Sequence, residues 1–501
     1  MDNPIPPETT GGTSGAKPGP KSGPVTTGRQ IAIACVVACA FVMQGVDMTL
    51  LTIAIPTIAP DLGVSPLVMH FAITAYLLSL AVFMPVSGWF ADRFGARRVF
   101  CGAVCIFVLG AVLAGLSPTL GLMVPARFLQ GFGGALMTPV GRLILLRAFG
   151  KGRTLDAMMW LTIPVLIGPL VGPLLGAVIV QHFDWRLIFF VSLPICAMTL
   201  ILARWLMPPD TDERKRTGFD WGGFAMAGAA LTLFQLGVEH LGHPLIGGEI
   251  TTVALFAAAF VTFRIYRRHA ARHPAPALDL RLFRLRAFRV GVIAGGIGRV
   301  GVNSLAFLLP LVFQVGMGMT PIEAGLIAAT AALGAFAAKP FLKRMVARWG
   351  YGPTITGVVA LSAVLIAGFA FLSEGMSAWL IVPYVIVAGS ARTVYFNTVN
   401  ALTYSDVPPE ELSRSVATAG VFQQLSMGLG ISLSAALLAL VAGEGHVLEM
   451  SDFATVFLMM AAIPLIALPV FARLRPERPE SSQKPPARRS AQGNDAESAR
   501  A

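Results

Sequence analysis

About fourteen stretches of mostly apolar residues, each near the roughly 20 that a helix needs to cross a bilayer, run almost end to end through this chain. They lie near 30–56, 68–91, 99–117, 121–148, 157–180, 186–206, 219–238, 250–268, 288–315, 322–343, 353–373, 378–403, 412–441 and 453–473. The 501 residues are 55% hydrophobic and only 13% charged, with mean hydropathy +0.72, so the solvent for most of the chain is lipid. A helix satisfies its own backbone polar groups in hydrocarbon, and the reading is an all-α polytopic membrane protein.

Charge placement orients these spans, because Lys and Arg accumulate in cytoplasmic loops. Arg93, Arg97 and Arg98 fall in the second loop, Arg147, Lys151 and Arg153 in the fourth, and Arg214, Lys215 and Arg216 in the sixth. Arg264 through Arg289 occupy the eighth, and Lys343, Arg344 and Arg348 the tenth. Odd-numbered loops hold Asp61, Glu239, Glu249, Glu374, Glu444 and Asp452, with Arg186 at a span edge as nearly their only cation. Both termini are therefore expected in the cytoplasm, with an even number of spans. A positive cytoplasmic face accounts for the net charge of +12 without a nucleic-acid partner.

Residues 1–28 and 476–501 are polar and rich in Pro, Gly, Ser or Thr, and read as disordered cytoplasmic tails. The five cysteines, Cys35, Cys39, Cys101, Cys105 and Cys196, all lie in apolar segments, and their odd number argues against a disulfide framework. Cys35/Cys39 and Cys101/Cys105 share helix faces but have no His or acidic neighbours, so neither a metal nor a cofactor is expected.

The chain repeats itself. From Pro56 to Gly95 is 39 positions and from Pro310 to Gly350 is 40; between them Ser65-Pro66 is answered by Thr320-Pro321, and Arg93-Phe94-Gly95 by Arg348-Trp349-Gly350. Ala347 stands where Asp92 would be echoed. Such repeats build two helical bundles with a cavity at their interface. The expected division is an N-terminal bundle over 29–207, two inserted spans with basic connections over 208–287, and a C-terminal bundle over 288–475.

The turn Gly88-Trp89-Phe90-Ala91-Asp92-Arg93-Phe94-Gly95-Ala96-Arg97-Arg98 is too charged for hydrocarbon and marks one membrane face, its two glycines allowing the backbone to reverse. It resembles the G-x-L-A-D-R-x-G-R-K signature of the major facilitator superfamily, with Phe90 for Leu and Ala96 for the first basic residue. Three more segments resemble that superfamily's fourteen-span drug:proton antiporter branch. Asp47 through Pro56 is similar to D-x-T-I-V-N-x-A-L-P with Thr52 in the Asn position, and Arg127-Phe128-Leu129-Gln130-Gly131 to R-x-x-Q-G. Gly168, Gly172, Pro173, Gly176 and Ala177 match the fifth-helix antiporter signature except for Ala177 at its last Gly. Four signatures in the correct order are far more specific than one. Gly298-Arg299, Gly325-Leu326 and Gln424-Leu425-Ser426-Met427 resemble a narrower group of bacterial multidrug exporters.

A carboxylate within the bilayer costs a few kcal/mol, so it persists with a task or a partner. Asp47 reads either as a proton site or as a static helix-to-helix hydrogen bond. Arg127, about 10 Å into its helix, either satisfies carbonyls together with Gln130 or, as the resemblance implies, tunes a nearby acid for proton coupling. Gly168, Gly172 and Gly176 form a flat stripe for close packing, and Pro164, Pro169 and Pro173 add the capacity to bend. For the loop, the resemblance implies a latch involving Asp92. Asp92 is also expected to meet the positive end of the third span's dipole, and at least one of Arg93, Arg97 and Arg98 to meet anionic phospholipid.

In the second bundle Arg299 and Arg392 count to mid-depth with no deep carboxylate to pair them, and Gln314, Asn303, Asn397, Asn400, Gln423 and Gln424 add polarity. Facing a cavity, the arginines would attract an organic anion or zwitterion; otherwise they bond carbonyls between helices. Candidate cavity residues are Gln130, Arg299, Asn303, Arg392, Asn397 and Gln424.

The expectation is a monomeric, proton-coupled antiporter of a bacterial plasma membrane, exporting a small organic molecule by alternating access. A proton-coupled importer on the same fold and a non-transporting membrane sensor are the alternatives. The sequence has no G-x-x-x-x-G-K-[ST], H-E-x-x-H or G-x-S-x-G, which argues against an ATP-driven pump or an enzyme.

Overall fold

The computed structural model describes residues 27–149, 154–207, 209–210, 218–242, 248–408, 410–443 and 448–474. The expected tails, Lys151, Arg153, Arg214, Lys215, Arg216 and Glu444 lie outside the described residues, except that Thr27 already begins the first helix. Likewise, the side chains of Pro164 and Lys343 are not described.

The first bundle comprises α1 (Thr27–Asp61), α2 (His70–Phe83), α3 (Ser87–Phe94), α4 (Ala96–Gly115), α5 (Leu120–Phe149), α6 (Thr154–His182), α7 (Leu187–Phe190) and α8 (Ser192–Leu206). α2 and α3 form one bent span: Pro85, which cannot donate to the preceding turn, sits in the 3-10 turn Met84–Val86 that joins them. α7 and α8 likewise share one span.

The inserted pair is α9 (Trp221–Gly242) and α10 (Gly248–Arg272). The second bundle is α11 (Arg286–Leu311), α12 (Pro321–Trp349), α13 (Tyr351–Gly368), α14 (Ala378–Ser405), α15 (Leu412–Ala442) and α16 (Met450–Ala472). Among the described residues thirteen helical segments are long and apolar enough to span a membrane, and the apolar part of α6 whose side chains are described, Ile167–His182, supplies a shorter one. About fourteen spans result, as composition required.

α1 and α16 begin and end at the same membrane face, called here the near face; the other is the far face. The repeat has a physical counterpart at the near face. Gly95 (φ 94°) joins α3 to α4 and Gly350 (φ 81°) joins α12 to α13, each in a left-handed conformation that a side chain resists. Gly88 has no such duty, since it lies inside α3 with open space where a Cβ would be. The reversal therefore needs one glycine, not two.

The inserted helices pack against each other and, through α9, against α2 and α15. At their near-face end Asp220 binds the Gly223 N–H at 2.8 Å, His269 Nε2 at 2.7 Å and the Ala277 N–H at 3.3 Å. Burial works against ionisation of this carboxyl, but these donors outweigh it and hold it below the usual carboxylate range.

Candidate functional site

α1 and α5 meet around one buried polar cluster. Arg127 and Gln130 sit three residues apart on α5 and so share a face. Arg127 Nη1 donates to Asp47 Oδ2 at 2.7 Å and to Gln130 Oε1 at 2.6 Å, while Gln130 Nε2 donates to Asp47 Oδ1 at 2.9 Å. Arg127 Nε reaches the Ala72 carbonyl of α2 at 3.3 Å. The guanidinium carbon lies 4.7 Å from the Tyr76 ring centre and 5.8 Å from that of Phe189, which adds cation–π attraction. Asp47 is 2% exposed and Arg127 and Gln130 are both 0% exposed, so the acid points into the protein rather than at acyl chains. Gln130, expected in the substrate cavity, is instead the third member of this triad, because its amide is consumed by the two charged groups.

The reason Asp47 can be so deep is the neighbouring helix. Gly168 of α6 lies against Gly45, Gly172 against Val46 and Thr49, and Gly176 against Leu50 and Ile53, all on α1. A Cβ on Gly172 would stand 1.8 Å from Thr49 Oγ1, and one on Gly168 2.8 Å from the Gly45 backbone. The same helix also faces the second bundle. The backbone of Pro173 and the methyl of Ala177 press on Gly325 of α12, and Gln181 Oε1 accepts from the Ile322 N–H at 3.1 Å. α6 therefore lies between the helix bearing Asp47 and the opposite bundle. α1 reaches that bundle too, since Gln314 Nε2, in a π-turn after α11, donates to the Ile53 carbonyl at 2.9 Å.

In the near-face loop Asp92 lies in the last turn of α3, not at the start of the third span, and its carboxylate is 3.7 Å from Arg147 Nη2 at the end of α5, with both groups well exposed. The helix start is held by Asp210, which sequence reasoning missed. Its two oxygens accept from the backbone N–H groups of Arg97 at 2.9 Å and Arg98 at 3.2 Å, completing the first turn of α4. A Cβ on Gly95 would overlap that carboxylate, which gives this glycine a second reason to be there. The Arg97 side chain turns to the Arg204 carbonyl, whereas Arg93 and Arg98 are exposed.

The second-bundle residues come only partly together. Arg299 Nη2 donates to Asn400 Oδ1 at 2.7 Å, and Gln423 Nε2 donates to the same oxygen at 2.9 Å. Arg299 and half-buried Arg392 sit over the one ring of Phe396, at 5.3 and 5.5 Å from its centre. Among the described residues neither forms an ion pair. Asn303 is buried beside Gly430 rather than open to a cavity, and exposed Asn397 bonds the Thr393 carbonyl of its own helix. Gln424 is half-buried.

A second buried ion pair had no expectation behind it. His70, the first residue of α2, bonds Glu239 of α9, and the same carboxylate meets Gln235 and, on α15, Ser432. Glu239 was expected in a far-face loop, but α9 continues past it to Gly242 and leaves it 4% exposed. The usable signal was an acid four residues after Gln235 on an apolar helix, a spacing that puts both on one face.

Among the described residues no cluster of His, Cys, Asp or Glu could hold a metal ion. The sequence profile of the Major Facilitator Superfamily matches residues 37–431. A candidate multidrug resistance protein, MdtD, of Pectobacterium atrosepticum is 35% identical over 449 residues, covering 88% of this chain and 95% of that protein. Its namesake in Cronobacter sakazakii is 36% identical over 450 residues, with 88% and 93% covered. Among solved structures, a POT family transporter in complex with 5-aminolevulinic acid superposes with TM-score 0.65 at 16% identity, covering 89% of this chain and 97% of that one. The human organic anion transporter MFSD10 gives 0.61 at 13% identity, with 88% and 99% covered. Fold, span number, signatures and curated relatives agree: the chain is a multi-pass membrane transporter and belongs to the major facilitator superfamily.

Proposed function

We propose that this transporter is a proton-coupled antiporter that expels small organic molecules across a bacterial plasma membrane. The observation that carries the reading is the buried Asp47–Arg127–Gln130 triad, whose acid sits on α1, the helix that packs against the glycine stripe of α6. Protonating Asp47 removes the charge that holds Arg127, and a buried cation deprived of its partner costs about 3–5 kcal/mol. The cluster must then rearrange, and the glycine stripe of α6 gives α1 a flat surface along which to slide. Because α6 touches Gly325 and Ile322 of the second bundle, a change of charge at Asp47 is converted into a change at the bundle interface. External protons entering at Asp47 and leaving to the cytoplasm would drive that change in one direction, at about 2.3 kcal/mol per charge per 100 mV of membrane potential.

Charge orients the molecule. Arg93, Arg97, Arg98, Arg147, Arg344 and Arg348 lie at the near face, making it the cytoplasmic one with both termini. In this reading exposed Arg93 and Arg98 meet anionic headgroups, and the Asp92–Arg147 contact acts as a latch that forms and breaks in water. The transport unit is taken to be the monomer, since the triad and the contacts of both bundles come from one chain. In the second bundle, the guanidiniums of Arg299 and Arg392 around Phe396, which meet no carboxylate among the described residues, favour substrates bearing an anionic group and an apolar body. MdtD's description as a multidrug resistance protein supports export over import.

The test is proton release from purified protein on addition of anionic, zwitterionic and cationic compounds, paired with uptake in inverted and right-side-out vesicles. Release with substrate, lost in Asp47→Asn, is the expected result. Asp47→Asn pumping uphill at the wild-type rate overturns the proton assignment, and release by cations alone overturns the roles given to Arg299 and Arg392.

A further inference from the structure

The His70–Glu239 pair joins all three parts of the molecule in its far-face half. His70 belongs to the first bundle and Glu239 and Gln235 to the inserted pair, while Ser432 belongs to the second bundle. Glu239 Oε1 lies 2.9 Å from Gln235 Nε2 and 2.7 Å from Ser432 Oγ, and Gln235 Nε2 donates to that same hydroxyl at 2.7 Å. His70 is 1% exposed.

The hydrogen-bond geometry fixes the proton count. His70 Nδ1 faces the Leu67 carbonyl oxygen, which can only accept, so Nδ1 carries a hydrogen. Nε2 then faces the Glu239 carboxyl oxygen, and a bond there needs a second proton, carried by the ring or by the carboxyl. With it, the pair holds one proton beyond neutral imidazole plus carboxylate, and its net charge is zero. Without it, a ring lone pair is aimed at a buried carboxylate, leaving an uncompensated charge that a separating interface would hydrate.

Phe71 stacks on the ring at 4.5 Å between centres, and α11 presents the edge of Phe307 at 6.2 Å. α15 contributes Ser432 and Gly428. Among the described charged groups on the packed elements, Arg127 of α5 bonds Asp47 of α1, Asp61 of α1 bonds Trp185, His240 of α9 bonds Thr252 of α10, Arg299 of α11 bonds Asn400, and Asp452 of α16 bonds the Glu449 N–H. Glu249, at the start of α10, is exposed.

We propose that His70 and Glu239 form a second proton-binding site, separate from Asp47, which binds one external proton as the bundles close at the far face and returns it when they part. A hydronium ion gives its proton to the pair, water is released, and α2 is tied through α9 to α15. The proton goes back to the compartment it came from, so it adds nothing to the exchange ratio; it makes closing easier when the outside is acidic. Calling the far compartment external rests on the orientation proposed above, whereas the proton on the closed pair does not.

The test uses full-length protein in lipid nanodiscs with the five native cysteines replaced and spin labels at Phe183→Cys and Ser373→Cys, exposed far-face positions on the two bundles. Distances are read between about pH 5 and 8, the range in which an unperturbed histidine changes charge, in an Asp47→Asn background that removes the first proton site. One linked proton changes the closed-to-open ratio by up to about tenfold per pH unit, the closed form growing as pH falls. Glu239→Gln is expected to flatten this response, and the exchanged pair His70→Glu with Glu239→His to restore it. A full slope with Glu239→Gln, or no slope in a folded exchanged pair, overturns the proposal. If Glu239→Gln does not fold, the exchanged pair decides alone. Proton-coupled transport that survives Asp47→Asn sinks the first reading and leaves this one standing.

Discussion

Gly172→Ala is the most direct probe of the contact between α6 and α1. The added methyl would lie 1.8 Å from Thr49 Oγ1, 2.9 Å from Thr49 Cβ and 3.2 Å from the Val46 carbonyl, where ordinary contact begins near 3.4 Å. Rotating Thr49 relieves the first clash but not the second, because Cβ is fixed to the backbone. The hydroxyl is moreover tied to the Val46 carbonyl at 3.0 Å. The helices must part by several tenths of an ångström at a level one turn from Asp47, an overpacking that costs about 1–3 kcal/mol. Two readouts follow: a lower unfolding temperature for the detergent-solubilised protein, and coupled transport reduced by about tenfold for each 1.4 kcal/mol by which the strain falls on the mobile state. Thr49→Ala removes the hydroxyl and methyl and is expected to recover part of both losses. Wild-type stability and transport in Gly172→Ala would refute the claim that this stripe sets the spacing of the two helices, as would a Thr49→Ala double variant no better than the single one.

Three further outcomes are expected. Asp47→Asn and Arg127→Gln each leave a buried partner uncompensated, so each destabilises by about 3–5 kcal/mol, while the double variant loses clearly less than the sum; a thermal-denaturation double-mutant cycle measures that coupling. Asp210→Ala strips two acceptors from the first turn of α4, costing about 1–2 kcal/mol, and is seen as faster protease cutting near residue 95, whereas Asp92→Asn changes stability by less than about 0.5 kcal/mol because its ion pair is exposed. Asp220→Asn weakens the α9–α10 junction by about 1–2 kcal/mol at neutral pH. Since folding lowers this carboxyl's affinity for protons, its contribution is complete above the ordinary carboxylate range and fades as pH falls through the lowered value, so the gap between wild type and Asp220→Asn closes in acid denaturation curves below about pH 4.

Span number, the twofold repeat and the near-face turn were legible in the sequence because each depends on a local property: run length, spacing, or one glycine with positive φ. Asp47 and Arg127 were likewise legible as conspicuous, since a charge inside an apolar run needs no neighbour to be noticed. Gln130 was read as cavity-facing and proved to close the triad, which only the approach of α1 to α5 could show. The inserted pair shows the limit most sharply. Its existence followed from two apolar runs, but α9 runs on to Gly242, past the expected end at 238, and that small difference moved Glu239 from a loop into a buried ion pair.

The sequence by itself determined that this chain lives in a bilayer, because hydropathy and backbone hydrogen bonding require spanning helices, and its internal repeat pointed to two related bundles with an inserted helix pair. Only the tertiary structure decided which charges meet. Asp47 finds Arg127 at a separation of 80 residues, and His70 finds Glu239 at 169. Pairing depends on the rotation of each helix about its axis and on how closely small residues let neighbours approach. Those quantities belong to the packing of several helices at once, and no single segment encodes them.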